Sequence, residues 1–552
     1  MEVLAHLLLF ILGSYCAWSV VQEADAPIQT VIVDLGGNQR LKGLNVSSAS
    51  GDSIYKFYGI PYAIPPLGDL RFQPPKPAVS WTGVKDAVSK SAICPQFTWE
   101  DLTSVRSEDC LYLNVFSPDV SASLPVLVWI HGGGYRTGSA FNDGDGATMV
   151  PQGVVAVTIN YRLGPIGFLS TEDDIMPGNY GMLDQVLALK WVQKYISAFG
   201  GDPKQVTIGG ESAGSFSVSL LIFSPLANGL YKRAIMESGS ALTLGALERI
   251  GSNGKVRDST LRSAARVGCN RTTSAEVLQC LKSVNIDHLM NATQDAIFVP
   301  RIESKFGFLL DYPINLLKSG NYSKVDTLHG TNSGEVSATV QDPEDDGVTR
   351  QQFESVVASQ LGSYRNSGEL VKELVDAYIG NETNPLVLRS ILVQEVVDMV
   401  FGAGSLVEIH NYISDPNVAT KHFLYEFYYR MSGTTTPAWR GVDHAAERRF
   451  VFYPDSRYNY TTADDRAVGE TVQKMWANFI KYGDPTPASI PQTSAGGPHL
   501  VEWRAFTDSQ PCILEIDVAS KLVPYPRPFL VNLYEKIVHL ANTNPSDTTI
   551  VG

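Results

Sequence analysis

The stretch Gln205-Val206-Thr207-Ile208-Gly209-Gly210-Glu211-Ser212-Ala213-Gly214 decides how the rest of the chain is read. Gln205 to Ile208 is a short β-branched run of the kind that forms a strand. Two glycines follow, then G-x-S-x-G, then the small and apolar residues of a helix. A serine on so sharp a strand-to-helix turn projects its hydroxyl above the end of a sheet, and small neighbours let the chain bend that far. The next backbone N–H, that of Ala213, then points to where a tetrahedral oxyanion would form. The pentapeptide alone is a weak signal, because Gly and Ser are common. Here its context, strand before and helix after, agrees with the chemistry.

Upstream, Val126-Leu127-Val128-Trp129-Ile130 is an apolar run ending at His131-Gly132-Gly133-Gly134-Tyr135. Val154 to Ile159 is apolar on both faces, as in a strand buried on two sides. Leu183 to Ala198 reads as a helix, with Leu187, Leu189, Val192 and Ile196 among its apolar positions. Strands alternating with helices predict an α/β fold, a large and mostly parallel sheet with helices on both faces. No internal repeat or long linker interrupts the pattern, so residues 20–552 are expected to form one domain. The helix-rich stretch 250–420 is expected to cap the sheet. The glycines after His131 let the backbone approach a substrate closely, and their N–H groups are suited to complete an oxyanion hole.

A serine hydroxyl is a poor nucleophile until an imidazole takes its proton and a carboxylate holds that imidazole. On this architecture the order along the chain is Ser, acid, His. Five histidines follow the helix-rich stretch or close it: His410, His422, His444, His499 and His539. His539 stands at helical spacing in Phe529–Leu540 and reads as an ordinary helix residue. His444 lies in a small-residue loop, Gly441-Val442-Asp443-His444-Ala445-Ala446-Glu447, beyond the strand-like Phe423–Tyr428. For the acid, Glu335 follows a short strand, Val325–Leu328. Spacing alone leaves Asp326 and Asp443 as competitors.

The 552 residues are 44% apolar and 18% charged, which suits a globular chain with a large core. The 43 Lys and Arg against 57 Asp and Glu leave a net charge of −14. That charge excludes nucleic acid as the main partner, since gripping a phosphate backbone needs surplus cations. Val3 to Ser19 carries an apolar core, Leu7 to Leu12, and ends in small residues at Ala17 and Ser19. It reads as a secretory signal peptide over residues 1–19, with Glu2 where a basic residue is usual. The run falls short of the about 20 residues of a bilayer span, and no comparable run follows, so a secreted protein without a transmembrane anchor is expected. Six N-x-S/T sequons agree with that compartment, at Asn45, Asn270, Asn291, Asn321, Asn381 and Asn459. Once Cys16 leaves with the signal, Cys94 and Cys110, then Cys269 and Cys280, are short-range pairs able to close small loops, and Cys512 is left over. There is no C-x-x-C or Cys/His cluster, so neither a metal nor a cofactor is expected.

Further motifs accompany the elbow: Phe57-Tyr58-Gly59-Ile60-Pro61-Tyr62-Ala63, Ser107-Glu108-Asp109-Cys110-Leu111-Tyr112-Leu113-Asn114, Asn160-Tyr161-Arg162, Gly178-Asn179-Tyr180-Gly181-Met182-Leu183-Asp184-Gln185 and Phe199-Gly200-Gly201-Asp202-Pro203. With them the chain resembles the type-B carboxylesterase/cholinesterase family of the α/β-hydrolase fold, from about residue 28 to 540. The resemblance implies Ser212 as nucleophile, Glu335 as acid, His444 as base, and the N–H groups of Gly133, Gly134 and Ala213 as the oxyanion hole. It implies disulfides Cys94–Cys110 and Cys269–Cys280, ion pairs Arg71–Glu108 and Arg162–Asp184, and Glu211, Ser238 and Glu447 as buried support behind the triad.

The chain departs from the family in places. Ala445 stands where Gly is usual, so the histidine loop has less conformational freedom. Ala241-Leu242-Thr243 replaces the frequent Pro-Trp of the acyl pocket, which is expected to be roomier. The partner to be turned over is expected to be a small ester. Cholinesterases cradle a quaternary ammonium on rings, worth about 2 kcal/mol when desolvated. Glu335-Val336-Ser337-Ala338-Thr339 carries no ring, although Trp99 lies in the first cysteine loop. The expectation is a secreted serine esterase acting on neutral carboxylic esters. The alternatives are a cholinesterase and a non-catalytic, neuroligin-like adhesion protein. The latter class typically loses the nucleophile, which this chain keeps.

Overall fold

Runs of β-branched and aromatic residues build the sheet. Val155–Ile159, Arg233–Glu237 and His422–Phe427 are buried at every position, because both faces of the sheet are covered. The computed structural model describes residues 29–47, 51–97, 105–141, 146–247, 255–361, 367–454, 457–489 and 500–542. The expected signal peptide, Trp99 and His499 lie outside the described residues.

Among the described residues, 13 strands form one sheet. Its centre is parallel, in the spatial order Val155–Ile159, Leu124–Ile130, Gly201–Glu211, Arg233–Glu237, Asp326–Asn332, His422–Phe427, Cys512–Ile516. Antiparallel strands flank it, Tyr112–Ser117 and the three N-terminal strands on one side and Lys521–Pro524 on the other. Leu124–Ile130 has the next strand, Val155–Ile159, on one side and Gly201–Glu211 on the other. The connections thus diverge at its carboxyl end. Open α/β sheets bind ligands at such a point, and His131–Gly134 and Ser212 both stand there.

Gly201–Glu211 begins earlier than the sequence pattern suggests and contains Pro203. A register shift between Leu124 and Val126 absorbs the proline, which has no N–H to give a ladder. Helix Tyr180–Tyr195 matches the predicted one, displaced toward the N-terminus by a few residues. The stretch expected as a cap contains helices from Lys255–Arg266 to Ala403–Ser414, interrupted by the sheet strand Asp326–Asn332.

Cys94–Cys110 and Cys269–Cys280 are bonded, and Cys512 is buried and unpaired. Arg162 and Asp184 form a buried two-pronged ion pair at 2.7 and 2.8 Å, and Arg71 grips Glu108 through Nε at 2.7 Å. Five sequon asparagines are exposed, while Asn45 is half-buried on strand Gln39–Ser47. No helix among the described residues is long and apolar enough to cross a membrane.

Candidate active site

Gly201–Glu211 ends one residue before Ser212, and helix Ala213–Phe223 starts one residue after it. Ser212 bridges them at φ 57°, ψ −125°. A non-glycine residue holds so sparsely populated a conformation only when its surroundings impose it. Two packing constraints do so. A Cβ at Gly214 would lie 2.1 Å from the Ile130 carbonyl oxygen, and one at Gly210 would lie 2.6 Å from the same atom. The Ser212 N–H donates to the Glu237 carbonyl at 2.9 Å, tying the turn to the neighbouring strand. Ser212 is partly exposed on a buried base.

The glycine loop packs against this turn. A Cβ on Gly132 would meet the Glu211 carbonyl oxygen at 2.6 Å and Ser212 Cβ at 3.1 Å, so only glycine permits the approach. Gly133 and Gly134 have φ of 99° and 61° and are exposed. His131 is buried beneath them, stacked on Tyr161 at 4.4 Å, and the Tyr161 hydroxyl donates to its carbonyl. The Ala213 N–H belongs to the first turn of a helix, where amides have no intrahelical acceptor.

His444 Nδ1 lies 2.6 Å from Glu335 Oε2. The other oxygen of Glu335 accepts from Ser238 Oγ at 2.5 Å and from the Asn332 N–H at 2.9 Å. Glu335 is fully buried, whereas the His444 side chain is 30% exposed. The competing acids stand elsewhere. Asp326 is at the far end of its strand, 3.9 Å from Arg233, and Asp443 is exposed to solvent. His410, His422 and His539 are also apart from this group: His422 bonds Thr327 and Thr420, His410 faces Asp508, and His539 is exposed.

The second imidazole nitrogen, Nε2, lies 3.1 Å from Glu211 Oε1, and Arg448 Nε lies 3.6 Å from Glu211 Oε2. Burial pushes the His444 pKa down, but Glu335, Glu211 and Glu447 outweigh it and raise the pKa to about 10. Glu447, whose Oε2 accepts from Asn332 Nδ2, is pushed up to about 8 by burial and by the charges of Glu211 and Glu335.

Several residues here escaped the sequence. Phe401 stacks flat on the His444 ring, 4.7 Å between centroids and 8° between planes, and Phe216 stands behind it. Phe401 sits in a π-helical turn, Asp398–Gly402, anchored by Asp398 to Arg527 and Tyr378 at 2.7 Å each. Such a turn has no signature in hydrophobic periodicity. Glu237, Asn332, Arg448 and Trp476 surround the glutamates from different segments, and only the adjacency of Glu237 to Ser238 and of Arg448 to Glu447 offered a hint. Ala445 has φ 65°. The left-handed conformation for which glycine was expected is therefore adopted by alanine, at a cost of about 1–2 kcal/mol.

A strained serine at a strand-to-helix turn, beside a glycine loop at the switch point of a parallel sheet, defines the α/β-hydrolase class. The sequence profile of the carboxylesterase family matches residues 29–527. The chain is 34% identical to carboxylesterase 5A of Felis catus, over 92% of its own length and 94% of that protein. It is 34% identical to the medium-chain fatty acyl-CoA hydrolase precursor of Anas platyrhynchos, over 94% of both chains. It is 36% identical to liver carboxylesterase 1 of Oryctolagus cuniculus, over 80% of this chain and 83% of that one. The chain belongs to the carboxylesterase family, and its class is carboxylic ester hydrolase.

Proposed function

We propose that the protein is a secreted serine esterase that turns over neutral carboxylic esters through an acyl-enzyme on Ser212. The observation that supports this reading is the position of the His444 imidazole, with Nδ1 2.6 Å from buried Glu335 and Nε2 3.1 Å from Glu211, the residue that precedes Ser212. His444 Nε2 takes the hydroxyl proton as Ser212 Oγ attacks the ester carbonyl, and Glu335 holds the ring and offsets the charge it gains. The N–H groups of Gly133, Gly134 and Ala213 receive the oxyanion. His444 returns the proton to the departing alcohol, and a water activated by the same nitrogen then hydrolyses the acyl-enzyme. Ser238 holds Glu335, Glu211 faces the second ring nitrogen of His444, and Glu447 supports the group through Asn332. Residues 20–552 act as one hydrolase domain, with residues 1–19 as the cleaved signal and the exposed sequons as glycan sites.

The neutral-ester reading is supported by residues 336–339 after Glu335, which carry no ring to cradle a quaternary ammonium. The test is Ser212→Ala on purified protein. It should abolish hydrolysis of p-nitrophenyl esters and block labelling by an organophosphate, and labelling that persists places the nucleophile elsewhere. Treatment of the secreted protein with a glycosidase should lower its apparent mass.

A further inference from the structure

Four buried glutamates from four segments cluster about His444, two of them against its ring nitrogens and Glu237 beside Glu211 on the neighbouring strand. Glu211 and Glu237 end adjacent strands as register partners, Glu335 follows Asp326–Asn332, and Glu447 precedes Arg448–Val451. Each is at most 2% exposed. The charged groups of opposite sign facing them are Arg448 and, when protonated, His444. Tyr425 and Trp476 pack against them as neutral groups. Four carboxylates against one permanent cation is not a charge state that a buried pocket sustains. An unpaired buried charge costs several kcal/mol, and the group takes up a proton instead.

The hydrogen bonds indicate which group does so. Glu335 collects three donors and Glu211 faces two basic side chains, so neither presents an oxygen to other carboxyl groups alone. Glu237 accepts one bond, from the Trp476 indole N–H to Oε1 at 2.7 Å. Its Oε2 is buried without a partner, as is Glu447 Oε1. A buried carboxylate oxygen with no donor, among other carboxylates, is where a proton is most stabilising, because it removes a charge and turns an unmatched acceptor into a donor.

We propose that Glu237 is a neutral carboxylic acid within the buried glutamate cluster, whose lack of charge keeps His444 free to act as a base. Its backbone carbonyl meanwhile fixes the elbow through the Ser212 N–H. This rests on the reading of Ser212, Glu335 and His444 as the triad. Burial first and the charge of Glu447 second push the Glu237 pKa well above the usual carboxylate range, while the Trp476 bond and Arg448 act against them and Glu211 with them. Each further ionised carboxylate here would strengthen the hold of His444 on its proton, and a general base must lose that proton before it can accept another.

The test compares the unliganded wild type with Glu237→Gln, which keeps an acceptor for Trp476 and cannot ionise. Infrared difference spectroscopy at neutral pH should show the C=O band of a buried, protonated carboxylic acid in the wild type, shifted in D2O and lost in the variant. The acid limb of kcat/KM for p-nitrophenyl acetate should stay in place, within about twofold at any pH on that limb. An ionised Glu237 would instead leave no such band, and its removal would lower the His444 pKa, making the variant about tenfold or more faster relative to its own plateau on the acid limb. Either result overturns the proposal. Glu237→Ala serves for the same comparison if Glu237→Gln does not accumulate. The infrared band needs no turnover, so a wrong triad would fail the Ser212→Ala labelling test and leave this result standing.

Discussion

Replacing Glu211 by Gln isolates the charge that faces the His444 imidazole from the side opposite Glu335. His444 Nε2 and Glu211 Oε1 are 3.1 Å apart. Two unit charges near 4 Å attract by about 4 kcal/mol at an effective dielectric of 20. Arg448, 3.6 Å from the other Glu211 oxygen, already offsets part of this charge, and solvent reaches 30% of the imidazole side chain. A remainder of about 1.4–2.7 kcal/mol corresponds to about one to two pH units. Glu211 stabilises the protonated imidazole, so its loss lowers the pKa of His444. The acid limb of kcat/KM should therefore move to lower pH by about one to two units. On the proposed mechanism the plateau should fall, because the imidazolium formed as Ser212 attacks would lose a counter-charge. The assay is kcat/KM for p-nitrophenyl acetate across the mildly acidic to alkaline range. A limb that stays in place or moves upward refutes the electrostatic account of the site. Glu237→Gln, at the register partner of Glu211, should by contrast leave the limb in place.

Glu335→Gln should fold normally and lower kcat by about 10⁴, while Asp443→Asn should change it little; the reverse ranking in steady-state kinetics would reassign the acid. Acetylthiocholine should be turned over at least tenfold less efficiently than uncharged phenyl acetate, given the ring-free stretch after Glu335; comparable kcat/KM values would make Trp99 the first residue to replace. Gly214→Ala should destabilise the fold by about 3 kcal/mol or prevent folding, because its Cβ would meet the Ile130 carbonyl oxygen at 2.1 Å. A melting temperature equal to that of the wild type would show that the elbow relaxes more easily than its packing implies.

Much of this was legible in the chain itself because it rests on local rules. A strand, a G-x-S-x-G turn and a helix within twenty residues announce the elbow, since only small residues permit that bend. Apolar runs without alternation announced strands covered on both faces, and the glycine triplet after Ile130 announced a backbone open to close approach. The two cysteine pairs, 16 and 11 residues apart, were readable as short loops. The acid was not readable from spacing: Glu335, Asp326 and Asp443 were equivalent candidates until the fold set one against Nδ1 and left the others at a strand's far end and in solvent. Nor was the environment of the imidazole. Phe401, Glu211, Glu237, Glu447 and Arg448 come from separate segments, and their charges act through space over distances that sequence separation does not encode. Sequence determined which groups are present and how the chain turns at Ser212. Tertiary structure decided which carboxyl lies against the His444 imidazole and which groups are buried together, because burial and Coulomb interaction depend on three-dimensional distance.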